Sequence, residues 1–142
     1  MKFKKFFSII LSVVCVTTLC VSVCAVEPKA SAQIAVYGMD VTPCSGYFAV
    51  YFTVTGPGTN VDKIGCESIY LYKMVNNRWV IVEDETKLED DSGMSRKNTY
   101  DHSNSIRCNS EEGEYYKIVV TIFSENSKGR DTRSQTFYRI GH

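Results

Sequence analysis

Charge of one sign is the first thing this chain lacks: 16 basic residues balance 16 acidic ones over 142 positions. Even that balance rests on the N-terminal end, where Lys2, Lys4 and Lys5 stand and no acidic residue precedes Glu27. Removing residues 1–25 leaves 117 residues with 13 basic and 16 acidic groups, a net charge of −3. A mildly acidic surface without a basic cluster gains nothing from counterion release, which excludes nucleic acid as a partner. Charged residues at 23% and aromatics at 12% also exclude an intrinsically disordered chain. Histidine is scarcer still. His102 and His142 are the only two, and neither stands near a serine in a Gly-x-Ser-x-Gly turn, so a Ser-His-Asp hydrolase has no visible basis. Cys66 with His102 could form a nucleophile and base, but no local signature supports the pair, and His102 between Asp101 and Ser103 reads as an ordinary strand side chain.

Long apolar runs are absent after residue 25, which excludes a later membrane span. The one such run, Phe6 to Val23, follows a basic start and precedes small residues at Val23 and Ala25, the three parts of a Sec-type export signal over residues 1–25. A second cut could follow Ala30-Ser31-Ala32, and at about 18 residues the run could also stay uncleaved as an anchor, the only route to a membrane. Lipidation is disfavoured because Leu19 and Val23, rather than small residues, precede Cys20 and Cys24. Export takes three of the six cysteines with the leader. Only Cys44, Cys66 and Cys108 remain, too few for a disulfide scaffold and, at separations of 22 and 42 residues, too far apart for a short-spaced zinc motif. About 117 residues can bury roughly two-thirds of the unfolded surface, so a core can hold the domain. No cofactor motif is present.

Helical periodicity is missing too: no stretch repeats apolar residues at helical spacing over three turns. After a small, polar, flexible lead-in over 26–33, the pattern has period two. A first strand fits 34–41. Phe48, Val50, Phe52 and Val54 alternate along a second, which stops at Gly56-Pro57-Gly58. Residues 68–74 make a third, with Ile69 and Leu71 on one face and Tyr70 and Tyr72 on the other. Asn76-Asn77, which tolerate positive φ, turn it into a return strand over 78–83 that places Trp79 and Ile81 on one side. Six carboxylates then fall within residues 83–91. They lack the Asp-x-Asp-x-Asp-Gly order of a calcium loop, so a solvated connection is expected rather than a metal site. Further strands fit 99–108, 115–123 (with Tyr116, Ile118, Val120 and Ile122 on one face) and 132–140. Seven strands with one apolar face each fit a two-sheet antiparallel sandwich over residues 34–142, preceded by the helix of a signal peptide.

At Glu112-Gly113-Glu114-Tyr115-Tyr116-Lys117-Ile118-Val119-Val120 the sequence resembles the corner and sixth strand of immunoglobulin-like and fibronectin type III domains, and the whole layout resembles short uncharacterised secreted proteins of Gram-positive bacteria. The resemblance implies an immunoglobulin-like sandwich in which Tyr116 serves as the tyrosine corner, its hydroxyl bonded back to the preceding loop. The immunoglobulin cysteine pair is absent. With a fibronectin-like strand order, Cys44 and Cys108 come to one end of the sandwich and Cys66 to the other, which implies a Cys44–Cys108 bridge.

The outer aromatic face is the best functional lead. Tyr70 and Tyr72, with Phe137 nearby and Arg133 and Lys117 beside them, would form a ring surface able to stack on sugars or contact a protein. The expectation is a secreted, extracellular, non-enzymatic binding module for a protein or glycan. A carbohydrate-binding module using the exposed tyrosines is the runner-up, and a small secreted hydrolase or toxin is the rival from another class.

Overall fold

A computed structural model describes residues 33–85 and 93–142. The expected leader, nearly all of the lead-in and most of the acidic stretch lie outside the described residues. Gln33, assigned above to a flexible lead-in, is buried, and its N–H donates to Asp131 Oδ2 at 2.8 Å.

The described residues are all β, in two antiparallel sheets. In chain order the strands are β1 (Val36–Cys44), β2 (Tyr47–Thr55), β3 (Val61–Val75), β4 (Arg78–Glu85), β5 (Ser95–Thr99), β6 (Asp101–Asn109), β7 (Tyr115–Asn126) and β8 (Gly129–Ile140). One sheet runs β1-β2-β6; the other runs β4-β3-β7-β8, with β5 also paired to β3. The core between them takes Val41 from β1, Phe48, Val50, Phe52 and Val54 from β2, and Tyr116, Ile118, Val120 and Ile122 from β7. These are the alternating runs that period-two patterning marks as inward faces.

Among the described residues eight strands form rather than seven, and β3 starts at Val61, well before the expected Ser68. The cause is a β-bulge. Pairing with β7 shifts register between Cys66 and Ser68, so Glu67 is an extra residue. It turns Ile64 and Cys66, in one parity, and Ile69 and Leu71, in the other, all toward the core. The first half of β3 pairs with β5, whose sequence Ser-Arg-Lys-Asn-Thr carries no apolar periodicity to reveal it. Gly65 allows the two to approach. It sits at φ +150°, and a Cβ there would run into the Met94 carbonyl oxygen, which accepts from the Cys66 N–H at 2.7 Å.

The expected Cys44–Cys108 bridge is not formed: all three cysteines in the described residues are thiols. The register explains why. Cys44 pairs with Tyr47, and Tyr47 with Asn109; Cys108 instead aligns with Phe48 and faces the core beside it. Strand β2 therefore lies between the two cysteines. Two strand spacings are roughly 9–10 Å, whereas bridged Cβ atoms lie about 3.5–4.5 Å apart. Neighbouring positions also point to opposite faces, so coming to one end of the sandwich does not bring the sulfurs together.

Tyr116 is buried, meets Phe48 edge-on at 5.2 Å and accepts the Glu111 N–H on its hydroxyl at 3.0 Å. Tyr116→Phe leaves that half-buried N–H without its acceptor and is expected to cost about 1–2 kcal/mol. Gly65→Ala combines backbone strain with a clash and is expected to cost about 3 kcal/mol or more. Urea unfolding midpoints at constant slope measure both, and a Gly65→Ala midpoint equal to the parent's would contradict the close approach of β3 and β5.

Candidate ligand-binding face

Strand parity builds a ring cluster on the outer face of the five-stranded sheet. With Ile118 and Val120 inward, Tyr115, Lys117 and Val119 must point outward. The registers Ile81↔Tyr72, Tyr72↔Lys117 and Lys117↔Tyr138 then set these four residues in one row across β4, β3, β7 and β8. Asn76 and Asn77, both at positive φ (49° and 60°), make the β3–β4 turn and fix the pair Met74↔Trp79. Trp79 comes to rest with its ring centroid 5.6 Å from Tyr115 and 5.9 Å from Tyr138, while Tyr115 and Tyr138 lie 6.2 Å apart, nearly parallel at 25°. The Lys117 ammonium lies 4.1 Å from the Tyr72 centroid and 5.4 Å from that of Trp79. Tyr115 is 42% exposed and Tyr138 50%, flanked by exposed Ile81 and Ile140.

Tyr70, Tyr72 and Lys117 thus occupy the face expected of them. Phe137 and Arg133 do not. Phe137 pairs with Ile118, is only 7% exposed and belongs to the core, and Arg133 shares its inward parity. The aromatic contribution of β8 is Tyr138. The residues missed from sequence are Trp79, Tyr115 and Tyr138. The first two were legible by parity; the polarity of β8 was not, because Tyr138 and Ile140 outnumber the one inward aromatic.

Below the ring row the face becomes hydroxylic: Val119 pairs with Thr136, then Thr121 with Ser134, their hydroxyls 2.8 Å apart. Farther along, Arg130 joins Glu67 at 2.8 Å and Glu125 at 2.7 Å and covers the Phe123 ring at 4.2 Å. A concavity of about 580 Å³ lies over β2 in the smaller sheet, bordered by Asp40, Tyr51, Thr53 and Ser103.

The candidate nucleophile and base, Cys66 and His102, are both engaged within the fold. Burial pushes the Cys66 thiol up to about 12, and its sulfur sits 3.3 Å from the Thr121 carbonyl. His102 is buried edge-on against Phe52, and its Nε2 lies 2.8 Å from the Gly93 carbonyl. Because a carbonyl only accepts, that nitrogen carries the proton. Among the described residues no three His, Cys, Asp or Glu side chains converge as metal ligands. No protein family, curated protein or solved structure matches the chain.

Thiol chemistry checks these placements. At pH 8 a maleimide is expected to label Cys44 in the folded protein and to reach Cys66 and Cys108 only in denaturant; a Cys44–Cys108 bridge would leave both unlabelled throughout. The raised Cys66 pKa also has a sign. The folded state holds this proton above the ordinary value of 9.0, so the contribution to stability is complete below about pH 9 and is lost as pH rises toward 12. Cys66→Ala is expected to flatten that part of the alkaline stability profile, and an unchanged slope would place the thiolate in a more polar setting.

Proposed function

We propose that the protein is a secreted, non-enzymatic binding module of immunoglobulin-like build whose ligand surface is the outer face of the five-stranded sheet. The observation that carries the reading is the Trp79, Tyr115 and Tyr138 cluster. Each ring is a large apolar surface held partly in water, and a contiguous patch of such rings bordered by polar residues is characteristic of a surface that binds something.

Support for the immunoglobulin-like build comes from strand order. With β1, β2 and β6 in the places of strands A, B and E, and β3, β7 and β8 in those of C, F and G, the sheets divide as they do in such domains, and β4 takes the place of C′. The Tyr116 hydroxyl bonded to Glu111, at the entry to the sixth of these strands, suits a tyrosine corner. Support for export comes from the three-part pattern of residues 1–25. The rival hydrolase or toxin would need Cys66 or His102 as its working group. Burial pushes the Cys66 thiol up to about 12, so it carries almost no thiolate at neutral pH, and the His102 ring is buried edge-on against Phe52, away from any substrate.

The test uses an array of glycans and extracellular proteins probed with the purified protein. Trp79→Ala combined with Tyr138→Ala is expected to melt within a few degrees of the parent, because both rings lie outside the core, and to bind at least tenfold more weakly wherever the parent binds. Undiminished binding would remove the face from consideration, and turnover abolished by Cys66→Ser or His102→Ala would overturn the non-enzymatic reading.

A further inference from the structure

The position of one cation narrows the ligand. Lys117 is one of the two inner residues of the row Ile81–Tyr72–Lys117–Tyr138, not a member of its rim. Its ammonium rests over the rings of Tyr72 and Trp79, and none of the ion pairs among the described residues involves it. An ammonium has three donors, and the π-faces attract the charge without accepting those hydrogen bonds as an oxygen would. Water supplies the acceptors while the face is open. A ligand that covers the rings removes that water, and unless it brings an acceptor of its own, preferably anionic, the covered charge is costly.

This requirement separates the candidate occupants. A protein partner would press the centre of its interface onto the rings, and lysine is depleted in the centres of protein interfaces. A second copy of the chain would place the two Lys117 ammonium groups close together if the twofold axis passed near the row, a like-charge contact. An acidic sugar presents what the face needs. Its ring has an apolar side to lie on Tyr138, Tyr115 or Trp79, its carboxylate reaches the ammonium, and its hydroxyls meet a polar continuation. That continuation exists along β7 and β8, where Thr136 stands roughly 7 Å beyond the Lys117 row at two residues of strand rise, followed by the Thr121–Ser134 hydroxyl pair.

We propose that the outer face binds acidic polysaccharide through one local contact rather than through the counterion release excluded above, with a uronic-acid carboxylate on Lys117 and the sugar rings laid over Trp79, Tyr115 and Tyr138. This rests on the aromatic face being the ligand surface, and the experiment separates the two claims. Hyaluronan, alginate and polygalacturonate are each compared with a carboxyl-reduced form, which keeps the sugar backbone and loses the charge, in affinity electrophoresis of the full chain. The expected result is retardation by at least one acidic polymer and by its reduced form about tenfold less, the scale of one charge-assisted contact. Lys117→Gln should bring the two forms level, Lys117→Arg should restore the difference, and Tyr138→Ala should weaken binding to both.

Equal retardation by the acidic and reduced forms, or a Lys117→Gln variant that still tells them apart, overturns the carboxylate contact while the aromatic face stands. No retardation by any acidic polymer, or a protein ligand that alone occupies the face, overturns the polysaccharide assignment. Retardation that survives Trp79→Ala with Tyr138→Ala shows that the face itself was wrongly chosen.

Discussion

Strand β3 works under a constraint that the rest of the sandwich depends on: it must present an inward face from Val61 to Leu71 although its apolar residues change parity between Cys66 and Ile69. The Glu67 bulge resolves the conflict. Without it, either Ile64 and Cys66 or Ile69 and Leu71 would turn toward water, and exposing two such side chains costs on the order of 3–6 kcal/mol, a large share of the stability of a small domain. The bulge also sets the outer surface. It fixes which residues of the second half face outward, so the placement of Tyr70 and Tyr72 follows from the packing of Ile69 and Leu71. Arg130 closes the solvent side of the same bulge by joining Glu67 and Glu125 over Phe123, which seals the point where the β3–β7 ladder is interrupted.

The two sheets differ in width, and that difference decides which surfaces remain open. Three strands cannot cover five, so Val80 and Val82 on β4 are exposed, and so is Gln135 on the inward side of β8. The edges at β1, β8 and β5, by contrast, are guarded. Arg139 donates to the Val41 carbonyl at 2.9 Å and to that of Tyr138 at 3.0 Å, and Arg133 donates to that of Thr132 at 2.7 Å. Pro43 interrupts the donors of β1, while Arg96 and Lys97 charge β5. Such devices discourage strand addition. Blunted edges on β1, β5 and β8 beside a broad face of clustered rings suit the proposed approach on the face.

How far the sequence foretold this varies with how much each strand is asked to bury. Strands β2 and β7 lie between neighbours and turn one side to the core, so their alternation reads directly. Strand β3 was half legible, because the bulge breaks the period that marks a strand. Strand β5 was invisible: five polar residues on an edge bury almost nothing, and only backbone pairing places them. For β8 the alternation was right and its polarity was not, since an edge strand that overhangs the smaller sheet needs only Phe137 inward and leaves Tyr138 and Ile140 outside. The cysteines failed for a related reason. Strand order brings Cys44 and Cys108 to one end, but disulfide geometry depends on which strand lies between them and on which face each occupies.

The aromatic face is therefore a product of register more than of composition. Trp79 reaches Tyr115, Tyr138 and Lys117 because the two-residue turn at Asn76-Asn77 pairs Met74 with Trp79. A slip of one residue would move Trp79 to the other side of β4, since the side-chain period is two. The bulge at Val82, between the pairs Leu71↔Glu83 and Tyr72↔Ile81, confines this requirement to the end of β4 nearest the turn. Two asparagines outside the cluster thus set its register, whereas contacts among the rings contribute only about 0.5–1.5 kcal/mol per pair beyond their burial. Local turn chemistry sets the register, the register sets the face, and the face determines where a single lysine stands among the rings.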